Sequence, residues 1–181
     1  MPDAHIIYCY FFCAFGRFSH QVIMKDLIKI VGILLTSSIS FNVCANNSEE
    51  MNLNQSRVVA IVKKAESYIK KNGIKKAINK YKNENDIVIG DYNGIFFVSP
   101  LHPEQVGKNQ YNYKDPTGVL VVQEEINKAK AGGGWLKGRW RKNPLTGHYQ
   151  CRKIYIHPVG ENYFIGSWYH YSSNKPGVCN S

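Results

Sequence analysis

Several things are scarce in this chain, and each scarcity closes off a class of answer. Acidic residues number 13 against 23 Lys and Arg, a formal charge of +10 with a pI near 9.4. Carboxylates positioned as a general acid and base are correspondingly hard to find, and no Ser or Cys has an activating partner in the sequence. The best pair available to catalysis is His102 with Asp115, so an enzyme is the disfavoured reading. The six histidines show no metal-ligand spacing, and neither a metal nor a cofactor is expected. Long apolar runs are absent too. The stretch from Ile30 to Phe41 falls short of the roughly 20 residues that a membrane-spanning helix needs.

That short run fits an address instead. From Met24, Lys25 and Lys29 supply a positive region, Ile30 to Phe41 an apolar one, and Val43-Cys44-Ala45 small residues ahead of Asn46. Residues 1–45 are expected to be a leader with an upstream extension, and 46–181 a single exported domain, periplasmic or secreted. An uncleaved N-terminal membrane anchor is the alternative. Of the five cysteines, Cys9, Cys13 and Cys44 fall in the leader, which leaves Cys151 and Cys179. An even pair in an exported domain reads as a disulfide, with two reduced thiols as the alternative. Removing the leader leaves the charge at about +9, because it takes away Arg17, Lys25 and Lys29 with Asp3 and Asp26.

The remaining domain is large enough to bury a core without metal staples. Val58, Val62, Ala65 and Ile69 recur at helical spacing, and Ile74, Ala77, Ile78 and Tyr81 resume it after a break at Gly73. The opposite face carries Lys63-Lys64, Lys70-Lys71, Lys75-Lys76, Lys80 and Lys82. No aromatics interleave with these lysines, which argues for a solvated helix face and against a nucleic-acid partner. Asp86 to Gly90 and Ile95 to Ser99 read as strands joined through Asp91-Tyr92-Asn93-Gly94. A long loop from Leu101 to Pro116 follows, of a length that is often functional. The segment 118–131 is predicted helical, with Val119, Val122, Ile126 and Ala129 on one face and Gln123, Glu124, Asn127 and Lys128 outward.

Most of the information lies after that helix. Gly132-Gly133-Gly134 allow a tight turn that other residues resist. Trp135, Arg139, Trp140 and Arg141 come next, then a connection at Asn143-Pro144-Leu145-Thr146-Gly147 and strands at 150–157 and 163–171. The expectation is an α+β fold: a long N-terminal helix packed on an antiparallel sheet of about five strands. Strand alternation would set Trp135, Lys137 and Arg139 on one side, and Cys151, Lys153, Tyr155 and His157 on one side. A hollow lined by aromatics with one or two cations suits an organic acid, since rings desolvate it and Arg grips a carboxylate with two hydrogen bonds. Against this, Trp135 and Trp140 read more readily as core and His102 beside Pro103 as loop packing, while Arg139 and Lys153 read equally as exposed edge residues.

The ordered set of features resembles the Cache sensor domain of the single-module kind. The features are Gly73 to Ala77 at a helix end, Asp91-Tyr92-Asn93-Gly94, His102-Pro103, Gly107-Lys108-Asn109 and Lys114-Asp115-Pro116-Thr117-Gly118. They continue through Gly133-Gly134-Trp135, Trp140, Pro144, Lys153-x-Tyr155 and Ile165-Gly166-Ser167-x-Tyr169. The resemblance covers residues 56 to 171. It implies a PAS-like sheet lying outside the cytoplasmic membrane and binding a small molecule, often a short carboxylate or amine. On this reading His102, Trp135, Arg139, Trp140, Lys153, Tyr155 and Tyr169 are the candidate ligand contacts, and a membrane receptor is a candidate partner. Gly138 stands where members commonly carry an aromatic, so the resemblance carries no specific ligand. The competing reading is a basic module that binds polyanions or surfaces without any small-molecule pocket.

Overall fold

The structure is a computed structural model that describes residues 27–173 and 175–179. The chain divides into two compact units, residues 1–47 and 48–181. Of the expected leader, residues 1–26 lie outside the described residues, and the rest is helical. No helix among the described residues is long and apolar enough to cross a membrane.

Helix α1 covers Leu27–Asn72. Within the second unit its residues Val58, Val62, Ala65 and Ile69 are all buried, the 4-3-4 spacing that the sequence predicts. The helix ends at Asn72, and α2, Ile74–Tyr81, resumes after Gly73 with Ala77 and Tyr81 buried. These two helices pack through Val62, Ala65, Ile69, Ala77 and Tyr81 onto Ile87, Ile89, Val98, Val159 and Ile165. Burial of each large aliphatic side chain contributes about 1.5–3 kcal/mol, so this layer is a main source of stability.

The predicted hairpin forms as β1, Val88–Asp91, and β2, Phe96–Val98. Asp91 fixes its turn: Oδ1 accepts hydrogen bonds from the backbone N–H of Asn93 at 3.0 Å and of Ile95 at 2.8 Å. The long loop, with a 3-10 turn at Pro103–Gln105, then runs back along the hairpin. Gly107 N–H donates to the Phe96 carbonyl (2.9 Å) and Gln110 N–H to that of Gly94 (2.8 Å). An edge that would otherwise offer unpaired backbone groups is thereby covered.

Helix α3, Val121–Lys130, starts later than the pattern suggests. Asp115 holds residues 115–119 as a closed turn, accepting from Thr117 N–H (2.9 Å), Thr117 Oγ1 (2.6 Å) and Val119 N–H (3.0 Å). After α3 come β3, Gly134–Trp135, β4, Arg139–Lys142, β5, Tyr149–Val159, and β6, Tyr163–Tyr171. Among the described residues the sheet has six strands in the order β2-β1-β6-β5-β3, with β4 also paired to β5, and every pairing is antiparallel. The count is six rather than about five because Leu136-Lys137-Gly138 divides the strand after the glycines into two.

Gly133 sets the start of β3. Its φ is 90°, and a Cβ there would lie 2.6 Å from the carbonyl oxygen of Ile156 on β5, so only glycine lets the two backbones approach this closely. Both sheet faces are covered. Ile165 and Tyr155 pack with α1 and α2, whereas Phe164, Ile156 and Val88 pack with Val122, Ile126 and Ala129 of α3. At the far end, Cys151 and Cys179 form a disulfide with a Cα–Cα distance of 5.6 Å, which ties the C-terminal segment to β5.

Candidate functional site

Near the β4 end of the α3 face, sheet, helix and loop stand apart around a cavity of about 370 Å³. The floor is the sheet, with Trp140 and Arg141 from β4, Arg152 and Ile154 from β5 and Trp168 from β6. One wall is α3, through Val121, Val122 and Glu125. The other is the loop, through Leu101, His102, Tyr113 and Asp115.

The charged groups in this cavity are unequally partnered. Arg141 Nη2 lies 2.9 Å from Asp115 Oδ2, yet its buried Nε has no hydrogen-bond partner. Arg139, which pairs with Arg152 in the β4–β5 register, is ion-paired with Glu124 of α3 and lies 3.8 Å from Asp115. Arg152 differs: among the described residues no carboxylate lies within ion-pair distance of it. Burial, reinforced by the neighbouring Arg141, pulls its pKa down to about 10, so it remains a cation at neutral pH while losing much of its water.

Glu125 is the opposite case. Burial pushes its carboxyl up to about 7, even though Arg152, Arg141 and Arg139 all attract its charged form. Burial also acts upward on Asp115, but hydrogen bonds from Thr117 and Val119 and the charge of Arg141 outweigh it and hold that carboxyl below 3.8. His102 is held below 6.5 by burial and by Arg152, despite Glu104 at 3.4 Å, and is neutral near pH 7. His102 and Asp115 therefore share a cavity, but the Asp115 oxygens are engaged by Thr117, Val119 and Arg141. Among the described residues no three His, Cys, Asp or Glu side chains group as metal ligands.

Of the residues singled out from the sequence, His102 and Trp140 line the cavity, Trp140 stacking on Tyr149 with ring centroids 6.3 Å apart. Arg139 faces the same layer but stands outside the lining. Trp135, Lys153, Tyr155 and Tyr169 belong to the other face. The Trp135 ring lies 5.3 Å from Tyr155 and 5.8 Å from Tyr169, with the Lys153 ammonium 5.8 Å from it. Tyr169 meets Gln55 of α1 at 3.5 Å. The alternation expected to unite Trp135 with Arg139 is broken at residues 136–138, and along β5 the cavity receives Arg152 and Ile154 rather than Lys153 and Tyr155.

Arg152 and Glu125 were not among the expected site residues, although each carries the same signal. Arg152 shares strand parity with Ile154 and Ile156, and Glu125 sits three residues after Val122 in the stripe Val122, Ile126, Ala129. A charged residue inside an apolar row is costly unless a partner meets it.

The chain matches the Cache domain family over residues 48–168. Sensor histidine kinase MctS of Rhizobium johnstonii is 33% identical over 76 residues, which are 42% of this chain and 16% of that protein, so the chain spans about a sixth of that relative. Among solved structures, a methyl-accepting chemotaxis protein from Vibrio parahaemolyticus superposes with a TM-score of 0.56 at 18% identity, over 71% of this chain and 96% of the other. A Cache chemosensory domain studied for carboxylic acid recognition gives 0.50 at 20% identity, over 74% of this chain and 98% of the other. At these identities the structural likeness speaks for the fold. With residues 48–168 matched and the helix-backed antiparallel sheet in place, the chain belongs to the Cache domain family.

Proposed function

We propose that this is an exported Cache domain that binds a short organic acid in the cavity between sheet, α3 and loop, with Arg152 as the anchor for its carboxylate. Cache domains are extracytoplasmic sensor modules of chemoreceptors and histidine kinases. The observation that carries the ligand class is Arg152 on the cavity floor, which among the described residues has no carboxylate within ion-pair distance and, unlike the exposed Lys142 at the same cavity, is largely withdrawn from water, since such a guanidinium is stabilised by a bidentate anion. Arg141 supplies a second donor through its unpartnered Nε. Trp140, Trp168 and Ile154 provide an apolar surround that excludes water from the pair. A cavity of about 370 Å³ lies near the lower end of small-molecule sites, which favours acids of a few carbons. The role is sensing by binding, not catalysis, and the bound domain is presented to a receptor in the membrane.

A thermal-shift series with acetate, pyruvate and succinate tests this reading. At a hundredfold excess over Kd, a ligand adds about 2.7 kcal/mol, and Arg152→Ala should remove the shift. A second reading draws on the exposed lysines of α1 and α2, among them Lys63, Lys64, Lys70, Lys71, Lys75 and Lys76, as a polyanion-binding face. Salt separates the two, because polyanion binding falls steeply with ionic strength, whereas a buried carboxylate pair is screened far less. If no acid shifts the melting temperature while heparin binds in a salt-sensitive way, the second reading replaces the first.

A further inference from the structure

Glu125 lines the cavity from the α3 wall and Arg152 from the sheet floor, yet they make no ion pair with each other. Among the described residues, the Glu125 carboxyl neither accepts a hydrogen bond nor joins an ion pair. Two groups that attract one another and line one cavity without pairing can both be reached by a ligand lodged in that cavity. A ligand carboxylate has two oxygens. Arg152 can satisfy one side of it with N–H donors, and the remaining lone pairs then face Glu125.

We propose that Glu125 is the second half of the acid site: in its protonated form it donates its O–H to the carboxylate held by Arg152, so each ligand binds together with one proton. This rests on the reading of Arg152 as the anchor. The protonated form is the one that binds, because an ionised Glu125 would repel the anion. A carboxyl-to-carboxylate hydrogen bond is charge-assisted and stronger than a neutral one. Glu125 is suited to this part because burial already holds it near the midpoint of its titration at pH 7, and a bound anion shifts it further toward the protonated form. Binding thus takes up a proton from solvent and breaks no bond.

The surrounding groups leave Glu125 as the titrating partner in the relevant range. From β4, Arg139 and Arg141 are each ion-paired with a carboxylate. From β5, Arg152 titrates only near 10. On the loop, Asp115 is ionised and His102 neutral above pH 6.5. From β6, His170, opposite Arg152 in the register, is likewise held below 6.5 by burial and by Arg152. On α3 itself, Glu124 is engaged by Arg139.

The test is calorimetric titration of acetate, pyruvate and succinate into the protein from pH 6 to 8.5, repeated in buffers of different ionisation enthalpy. The apparent Kd should hold steady below pH 7 and then rise about tenfold per pH unit, roughly thirtyfold by pH 8.5. Proton uptake should approach one per ligand at pH 8 and fall toward zero at pH 6. Glu125→Gln, whose amide still donates but cannot titrate, should bind with a Kd independent of pH and no proton uptake. The proton count on the wild-type protein decides the matter even if that variant fails to fold. An Arg152-dependent affinity that stays flat from pH 6 to 8.5 overturns this inference and leaves the anchor standing. Absence of binding by all three acids at pH 6 overturns both.

Discussion

Two adjacent glycines offer an internal control on what holds β3 in place. Gly132 and Gly133 have nearly the same φ, 96° and 90°. A Cβ on Gly132 would meet nothing within 4 Å, whereas one on Gly133 would lie 2.6 Å from the Ile156 carbonyl oxygen and 3.1 Å from Pro158 Cδ. Alanine at either position carries the cost of a left-handed residue, about 1–2 kcal/mol. At 133 the contact falls on the backbone of β5, which cannot rotate away, and overpacking of this kind adds roughly 1–3 kcal/mol. Urea unfolding at pH 7 should therefore place Gly132→Ala about 1–2 kcal/mol below the wild type and Gly133→Ala about 2–5 kcal/mol below it. The difference between the two variants is the cost of the close approach itself. Because Ile156 and Arg152 share β5, the displaced strand should also weaken acid binding in Gly133→Ala but not in Gly132→Ala. Equal losses of stability in the two variants would refute the argument, since the shared φ would then account for everything.

Four further outcomes follow from the geometry. Glu125 has a folded pKa near 7 against an ordinary 4.5, so its contribution is fully present below 4.5 and lost as pH rises through 7. Relative to the wild type, Glu125→Gln should gain about 3 kcal/mol in denaturant unfolding between pH 4 and pH 8. Asp115 has the opposite sign, its pKa being held below 3.8. Asp115→Asn should be less stable than the wild type by about 1–3 kcal/mol at pH 7, and acid titration of both should show the gap closing as pH falls below 3.8. Replacing Cys151 and Cys179 together by alanine reopens a 28-residue separation, which by loop closure should cost about 3.5 kcal/mol in thermal unfolding under non-reducing conditions. Finally, Lys153→Ala should leave the Kd for acids within about twofold, whereas Trp140→Ala, on the cavity floor, should raise it up to about tenfold through lost ring contact.

Much of the fold was legible because its signals were local. The helical spacing of Val58, Val62, Ala65 and Ile69 marks the buried stripe of α1, and Asp91-Tyr92-Asn93-Gly94 marks the hairpin turn. The candidate site was less legible because choosing it meant choosing a face of β5. A strand buried on one face announces that face by alternation, but here α1 covers one side and α3 with the loop covers the other. Both rows, Arg152-Ile154-Ile156 and Cys151-Lys153-Tyr155, mix apolar and charged residues, and period two alone cannot rank them. Leu136-Lys137-Gly138 added a second ambiguity, since three residues outside regular pairing reset the parity between Trp135 and Arg139. The long loop was marked by its length, but its course over the sheet, which places Asp115 beside Arg141, depends on contacts far apart in sequence.

The placement of the three tryptophans gives the molecule an optical asymmetry. Trp140 and Trp168 line the cavity, while Trp135 stands on the other face of the sheet among Tyr155 and Tyr169. A chain in which Trp135 alone is replaced by phenylalanine would keep indoles only on the cavity floor. Its indole emission would then report occupancy of that floor without an added dye, and the shift in wavelength would register how much water a guest displaces.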